Sequence, residues 1–289
     1  MLDAYQEITD RIIAALERGT VPWRTPWRAR GHRNARTDRP YRGINILMLQ
    51  MAALERGWND PRWLTYRQAR AAGGHVRRGE HGTRVVLWKW IEKKDSPDPE
   101  RPEHYPLLRL FTVFNVRQCR GLKLPPLTGD GDGPEPLERA EAIAGGYASG
   151  PTVHHDAGGA YYLPSRDEVH LPPRDAFGDA HGYYATLFHE LAHSTGHPGR
   201  LAREGYETAA PFGSERYSRE ELVAEFAAAF LGSEAGIDPS RVEQSASYIA
   251  SWLQALKDDR RLAVVAAGQA QRAADHVLGR AAHVAQEAA

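Results

Sequence analysis

The stretch LFHELAHSTGH, residues 187–197, holds the side chains whose types and spacing are best suited to chemistry. His189 and His193 stand four residues apart in an apolar context, so on a helix their imidazoles lie on one face and can share one metal ion. Glu190 lies beside them, where a carboxylate can act as general base on a water molecule. This HExxH arrangement predicts His189 and His193 as metal ligands and Glu190 as the catalytic residue, although two such histidines also occur for packing alone.

A hydrolytic metal site normally takes a third protein ligand and leaves one position open. In the extended pattern HExxHxxGxxH that ligand would stand at position 199, which is a glycine, whereas His197 comes two residues early and precedes a proline that disfavours helical geometry. The segment SREELVAEFAAAFLG instead offers Glu221, with Glu225 one turn later among apolar residues where an unpartnered carboxylate is costly. We predict Glu221 as the third ligand and Glu225 as the group that holds a ligand histidine's far nitrogen, with Glu225 as the alternative ligand.

Plainer roles exist for the same residues. Ser218 and Glu221 also fit a helix-capping box, and Glu225 also fits a solvated helix face. Three further histidines are expected to be surface or packing residues: His154, His155 and His170.

The expected cofactor is Zn²⁺, with another divalent metal as the alternative, and the expected chemistry is activation of a water for attack on a carbonyl. Candidate donors to the developing oxyanion are Tyr183, Tyr184 and Tyr217. The strand DEVHLP, residues 167–172, is a candidate sheet edge on which an extended peptide could be laid.

Residues 21–43 form a basic arm, with seven arginines against one acid, interleaved with aromatic rings. Arginines neutralise phosphates, and exposed rings offer stacking platforms for the bases of a single strand. No zinc-finger, helix-turn-helix or basic-zipper pattern accompanies them, so sequence-specific reading of a duplex is not supported and the arm favours nucleic-acid contact of the phosphate-and-stacking kind. The alternative is buried tryptophans beside a solvated arginine loop. The residues predicted to contact DNA are Trp23, Arg24, Trp27, Arg28, Arg30, Arg33, Arg36, Arg39, Tyr41, Arg42, Arg77 and Arg78.

Charge divides the chain into two modules. Residues 1–125 contain 24 Lys and Arg against 13 Asp and Glu, whereas the remainder contains 13 against 24. Six of the seven tryptophans also lie in the first part. We therefore predict a DNA-binding domain over 1–125, a proline- and glycine-rich linker over 126–136, and a metallopeptidase-type domain over 137–289.

The composition limits the cellular compartments in which this protein is expected to work. No apolar run is long enough to span a membrane, and the amphipathic N-terminus is unlike a secretory signal. Cys119 is the only cysteine, so His, Asp or Glu must hold any metal, and a cytoplasmic setting is expected.

Hydrophobic periodicity predicts an α+β fold with a basic α+β first domain and a mainly helical second domain that has a small sheet. Helices are predicted at 3–18, 44–57, 63–73, 182–195, 218–232, 240–257 and 259–279. Residues 76–94 are expected to form a strand pair around a glycine-containing turn, and residues 108–119 a further strand. Two short strands are expected around the turn at 165–167.

Taken together, these pieces resemble the ArdC-type antirestriction proteins of plasmids and phages. The resemblance is carried, in order along the chain, by VPWRTPW, YRGINILML, WLTYRQA, GGHVRRGEHGTRVV, FTVFNVRQC, HELAHSTGH and EELVAEFAAAFL. It implies an N-terminal domain that binds single-stranded DNA, a zincin-like metallopeptidase domain, and a role in shielding incoming DNA from host restriction during transfer. His189, Glu190 and His193 take the HExxH positions, and the acidic helix carries over as a unit.

Two alternatives remain at this point. The chain could be a zinc protease whose basic domain delivers it to a DNA-bound protein, such as a repressor or a host restriction subunit. It could also be a non-catalytic DNA-binding protein with a structural metal.

Overall fold

The computed structural model describes residues 4–25, 31–92, 104–125, 135–203, 214–241 and 246–281. The α-helices in these ranges are α1 (Ala4–Glu17), α2 (Ile44–Arg56), α3 (Tyr66–Ala71), α4 (Pro136–Gly145), α5 (Ala180–Ser194), α6 (Glu215–Ala235), α7 (Ala246–Asp258) and α8 (Leu262–Val277). The strands are β1 (Arg33–Asn34), β2 (Arg62–Thr65), β3 (His75–Val76), β4 (Thr83–Glu92), β5 (His104–Asn115), β6 (Cys119–Arg120), β7 (Thr152–His154), β8 (Tyr161–Leu163) and β9 (Glu168–His170). The predicted α+β class is confirmed.

The first half of the chain builds a four-stranded sheet in the order β1-β2-β5-β4. The β4–β5 pair is a long antiparallel ladder, and β1 runs parallel to β2. The predicted pair within 76–94 is wrong, because β3 pairs with β6 and β4 pairs with β5.

The predicted helix at 63–73 is partly wrong, because its first residues belong to β2. Trp63 and Leu64 are buried and pair with β5. The helix then begins after Thr65, whose hydroxyl accepts from Gln68 N while the Gln68 side chain accepts from Thr65 N. This capping box sets the boundary between strand and helix.

A second sheet has the order β7-β9-β8, with β7 parallel and β8 antiparallel to β9. The two strands expected around the turn at 165–167 are therefore confirmed. The expected role of this segment as a sheet edge is wrong, because β9 is paired on both sides. A peptide cannot be added along Glu168–His170 without displacing a strand.

Helices form the core of the second half. Helix α6 packs against α5, α7 and α8, and the predicted helices correspond to α5–α8. Their ends shift by at most three residues except at α7, which begins at Ala246 and not at 240, because Pro239–Arg241 forms a separate 3-10 helix. The predicted capping role of Ser218 is wrong, because α6 begins earlier and the Ser214 side chain accepts from Tyr217 N.

Helix α1 belongs to the same core, since it packs against α7 and α8 and its Thr9 hydroxyl donates to Arg260 O at 2.7 Å. Most of the predicted linker at 126–136 lies outside the described residues. Among the residues that are described, no helix combines the length and apolar character needed to cross a membrane.

Candidate metal centre

Helix α5 presents the HExxH residues toward the protein interior. Its first turn is capped by Asp179, whose carboxylate accepts from Gly182 N at 2.8 Å. One helical turn separates His189 from His193, and their Nε2 atoms lie 3.1 Å apart. Glu190 is buried beside them. The i, i+4 spacing thus converges two imidazole nitrogens on one point, as the sequence predicts.

Helix α6 supplies the third donor. The Glu221 carboxylate lies with Oε2 at 3.4 Å from His189 Nε2 and Oε1 at 3.4 Å from His193 Nε2. One ligand atom from each of these three residues lies within 4.8 Å of the others. Two imidazoles and one carboxylate form a donor set typical of hydrolytic zinc sites, so the residues fit a divalent ion.

His197 lies outside this cluster. It belongs to the turn that follows α5, and its Nδ1 accepts a hydrogen bond from Gly199 N at 3.1 Å. The structure therefore brings Glu221, and not His197, to the two histidines.

Further carboxylates stand behind both imidazoles. Glu225 Oε1 lies 3.4 Å from His189 Nδ1, and Glu220 Oε1 lies 3.4 Å from His193 Nδ1. Carboxylates in these positions orient ligand histidines and fix their tautomers. Glu225 thus takes the orienting position that the sequence predicts.

Glu220 was missed by the sequence reasoning. It also pairs with Arg203, which donates hydrogen bonds to Thr195 and to the carbonyl of Ala192 at the end of α5. A signal existed, because ligand histidines commonly donate their other ring N–H to a carboxylate, and the segment SREELVAEFAAAFLG carries three glutamates.

Electrostatics in the cluster favour positive charge between the imidazoles. Burial opposes a charged His193, but the carboxylates of Glu221 and Glu220 outweigh it and raise the pKa of His193 well above its ordinary value. Burial also disfavours a charged Glu221, yet the imidazoles hold the pKa of that carboxyl far below its usual range. Burial raises the pKa of Glu190, with the imidazoles acting in the opposite direction.

The predicted tyrosine donors take different places. The Tyr183 hydroxyl bonds to His155 Nε2 at 3.0 Å, and the Tyr184 hydroxyl donates to Glu141. The Tyr217 hydroxyl lies 2.9 Å from that of Tyr248, a residue that the sequence reasoning missed. Tyr248 lines a cavity of about 290 Å³ together with His189 and Glu221. Of the tyrosines considered, the Tyr217–Tyr248 pair is therefore the one that borders the site.

The packing roles expected for the remaining histidines agree with the structure. His170 lies stacked between the rings of His154 and Tyr161, and His155 stacks on Tyr183. None of these three histidines belongs to the cluster of metal-ligand type among the described residues.

Trp23 is not a stacking platform, and that expectation is wrong. Its ring is fully buried, and Nε1 donates to Glu225 Oε2 at 3.0 Å. Arg24 also turns inward, since its guanidinium bonds to the same carboxylate. The short 3-10 helix at Pro22–Arg24 places both side chains against α6, with Trp23 buried and Arg24 partly buried.

The other predicted DNA contacts divide into four groups. Three arginines are paired with acids of the chain: Arg33 with Asp38, Arg42 with Asp275, and Arg77 with Glu80. Three are exposed: Arg36, Arg39 and Arg78. Tyr41 is partly buried, and burial raises the pKa of its hydroxyl to about 12. Trp27, Arg28 and Arg30 lie outside the described residues.

Two family models match this chain, one in each half. Residues 2–114 match the N-terminal domain of anti-restriction factor ArdC, and residues 138–269 match the zincin-like metallopeptidase family MPTase-PolyVal. The class of protein is therefore an ArdC-type N-terminal domain joined to a zincin-like domain, a two-domain α+β architecture.

Two crystal structures of the antirestriction ArdC protein from plasmid R388 superpose on the chain, each with a TM-score of 0.78. The metal-free form is 41% identical and covers 96% of this chain and 97% of its own. The Mn(II)-bound form is 40% identical and covers 98% and 100%. The chain belongs to the ArdC antirestriction protein family.

Relatives by sequence include two proteins of Escherichia coli described as DNA primase TraC, each 40% identical over 95% of this chain. The chain spans only 27% and 20% of their lengths. Protein y4eC of Sinorhizobium fredii, described as uncharacterized, is 37% identical over 94% of this chain and 91% of its own length.

Proposed function

We propose that this chain is a cytoplasmic antirestriction protein that binds single-stranded DNA and protects incoming plasmid or phage DNA from host restriction. We further propose that its second domain works as a metal-dependent peptidase. The convergence of His189, His193 and Glu221 next to the buried Glu190 is the observation that carries the peptidase proposal. Membership of the ArdC family supports the DNA-protection part.

The three converging donors would hold Zn²⁺ or another divalent ion. The donor set favours zinc, while the related R388 protein is described in a Mn(II)-bound form, so manganese is the main competitor. Glu225 and Glu220 would keep His189 and His193 in the tautomer that directs Nε2 toward the ion.

A divalent ion held there would supply a Lewis acid that polarises a carbonyl and makes a water more acidic. Glu190 is placed to take the proton of that water and to return it to the leaving amine. Its burial and raised pKa suit it to both tasks. The Tyr217–Tyr248 pair is placed to donate a hydrogen bond to the oxygen on which negative charge develops.

The exposed arginines Arg36, Arg39 and Arg78 are the described candidates for phosphate contacts. The binding constant for a single strand falls with salt, and each phosphate contact contributes ~0.7 to the slope of log K against log salt. Loss of one contact therefore makes that slope less steep by this amount. Arg36→Gln should therefore weaken single-strand binding at low salt and reduce the salt slope by about that amount. Arg166→Gln, an exposed arginine of the second half, should leave both unchanged. Fluorescence anisotropy on the full chain, with duplex DNA as comparison, measures both quantities.

Glu190→Gln distinguishes the proposed function from its rivals. It should leave metal content and single-strand affinity intact while abolishing any proteolysis. Under our proposal, protection of DNA from a restriction enzyme survives this change. Loss of protection together with proteolysis would instead favour a DNA-targeted protease acting on a repressor or a restriction subunit. A wild-type chain that binds metal and DNA but cleaves no host protein would favour a structural metal.

A further inference from the structure

The segment Pro22–Arg24 lies in the part that matches the ArdC N-terminal domain, yet its side chains are buried in the other half. The Trp23 ring meets Phe226 of α6 edge-to-face at 4.8 Å and Trp252 of α7 at 5.3 Å between ring centroids. Both partners lie within the part that matches the zincin-like family. The indole is thus a component of the second domain's core, supplied from about 200 residues away.

Two residues of this segment hold the carboxylate of Glu225. The Trp23 Nε1–H donates to Oε2 at 3.0 Å, Arg24 Nε donates to Oε2 at 2.9 Å, and Arg24 Nη2 donates to Oε1. Two nitrogens of one guanidinium on two oxygens of one carboxylate form a fork that fixes the plane of the carboxylate as well as its charge. Glu225 itself is buried, so these side-chain donors stabilise a carboxylate that has little contact with solvent.

The oriented carboxylate faces the metal centre. Glu225 Oε1 is 3.4 Å from Nδ1 of His189, whose Nε2 converges with His193 and Glu221. A carboxylate in this place holds the proton of His189 on Nδ1 and leaves Nε2 free for a ligand bond. Without its two donors, the buried carboxylate could rotate away from the imidazole.

We propose that Trp23 and Arg24 are positioning residues of the metal centre, acting through Glu225 on His189. This inference rests on the proposed metal site. Its consequence is that metal affinity depends on a segment of the N-terminal domain, so the DNA-binding and peptidase parts are one functional unit. The same segment is the beginning of the basic arm, whose far end is anchored to α8 by Arg42 on Asp275 and by Gly43 N on the Gln271 side chain.

The test uses Trp23→Phe in the full chain, which removes the N–H donor and keeps an aromatic ring. The affinity for Zn²⁺, measured by competition with a chromophoric chelator, should fall by about ten- to a hundredfold, the usual effect of losing an outer partner of a ligand histidine. Trp252→Phe is the matched control, because it removes a buried indole N–H from the same cluster. The Nε1 of Trp252 has no hydrogen-bond partner among the described atoms, so this change should leave the affinity at the wild-type value.

A second variant and a second readout separate positioning from a general loss of structure. Arg24→Gln removes the charged fork from a side chain at the edge of the core, and it should lower the affinity in the same direction. Arg24→Lys, which keeps the charge, should bind Zn²⁺ more tightly than Arg24→Gln but less tightly than the wild type. With Co²⁺ as the probe, the d–d absorption bands should change in Trp23→Phe and Arg24→Gln but not in Trp252→Phe.

Wild-type affinity and an unaltered Co²⁺ spectrum in both Trp23→Phe and Arg24→Gln would overturn the inference while leaving the metal site standing. A wild-type chain that binds neither Zn²⁺ nor Mn²⁺ would instead overturn the proposed metal site itself. A Trp252→Phe chain that loses as much affinity as Trp23→Phe would show that packing, and not the hydrogen bond, matters.

Discussion

Lowering the pH should destabilise the protein through one buried histidine that is not among the metal-centre residues. His32 is buried, and its Nδ1 accepts from Trp63 Nε1 at 3.0 Å, a donor that cannot accept in return. Its Nε2 meets the carbonyl oxygen of the Gln50 side chain at 3.0 Å, and Gln50 in turn donates to the Thr25 hydroxyl. The neutral His32 ring, with its proton on Nε2, suits both of these hydrogen-bond partners. A second proton, on Nδ1, would face the indole N–H of Trp63.

The size of the effect follows from the pKa of the imidazole. Burial lowers the pKa of His32 from 6.5 to about 4, with the hydrogen bond to Gln50 opposing the shift. Between these two values the unfolded chain binds more protons than the folded one, so stability is complete above pH 6.5 and falls as pH drops toward 4. At pH 5 the loss relative to neutral pH should be about 2 kcal/mol, and below pH 4 about 3 kcal/mol.

The assay is urea denaturation of the metal-free chain at pH 7 and pH 5, with His32→Asn as the reference. The asparagine keeps an acceptor for Trp63 but does not titrate. Other titrating groups contribute equally to both proteins, so the wild type should lose about 2 kcal/mol more than the variant between the two pH values. An equal loss in both, or a His32 imidazole that titrates near pH 6.5 by NMR, would refute this reasoning.

Two further predictions concern the metal centre and the ion pair between Arg42 and Asp275. Glu221→Ala should remove most of the measurable Zn²⁺ binding while His197→Ala leaves it unchanged, as isothermal titration can check; the reverse result would mean that the third ligand is misassigned. Arg42→Ala should destabilise the fold by about 2 kcal/mol in urea melts, because it leaves the buried Asp275 carboxylate without its cation. Asp275→Ala should cost less, since the partly exposed Arg42 can reach water, and equal losses would contradict this asymmetry.

The sequence predicts the features that depend on residues close together in the chain. HExxH is a local pattern, and the helical repeat alone places His189 and His193 on one face. The acidic helix could be predicted as the source of the third ligand because buried carboxylates at Glu221 and Glu225 need partners. Helix positions in the second half also follow from local periodicity, with end shifts that reflect caps such as Ser214.

The errors lie where a distant segment decides the outcome. Residues 62–65 are drawn into a strand by pairing with β5, and β9 becomes a central strand because β7 joins it from the other side. Within the basic arm, Trp23 and Arg24 carry the same composition signal as Arg36 and Arg39, which are exposed. Only the fold shows that they face inward.

The sequence by itself predicted the type of chemistry, because the metal-binding pattern, the acidic helix and the basic arm each consist of residues that are close together in the chain. What only the tertiary structure decided is which of these side chains converge at the predicted metal site and which lie exposed on the surface. Trp23 meets Glu225 across 202 positions of chain, and no local periodicity encodes such a contact. It forms because α1 and the segment after it pack into the core of the second half, where a buried carboxylate needs donors.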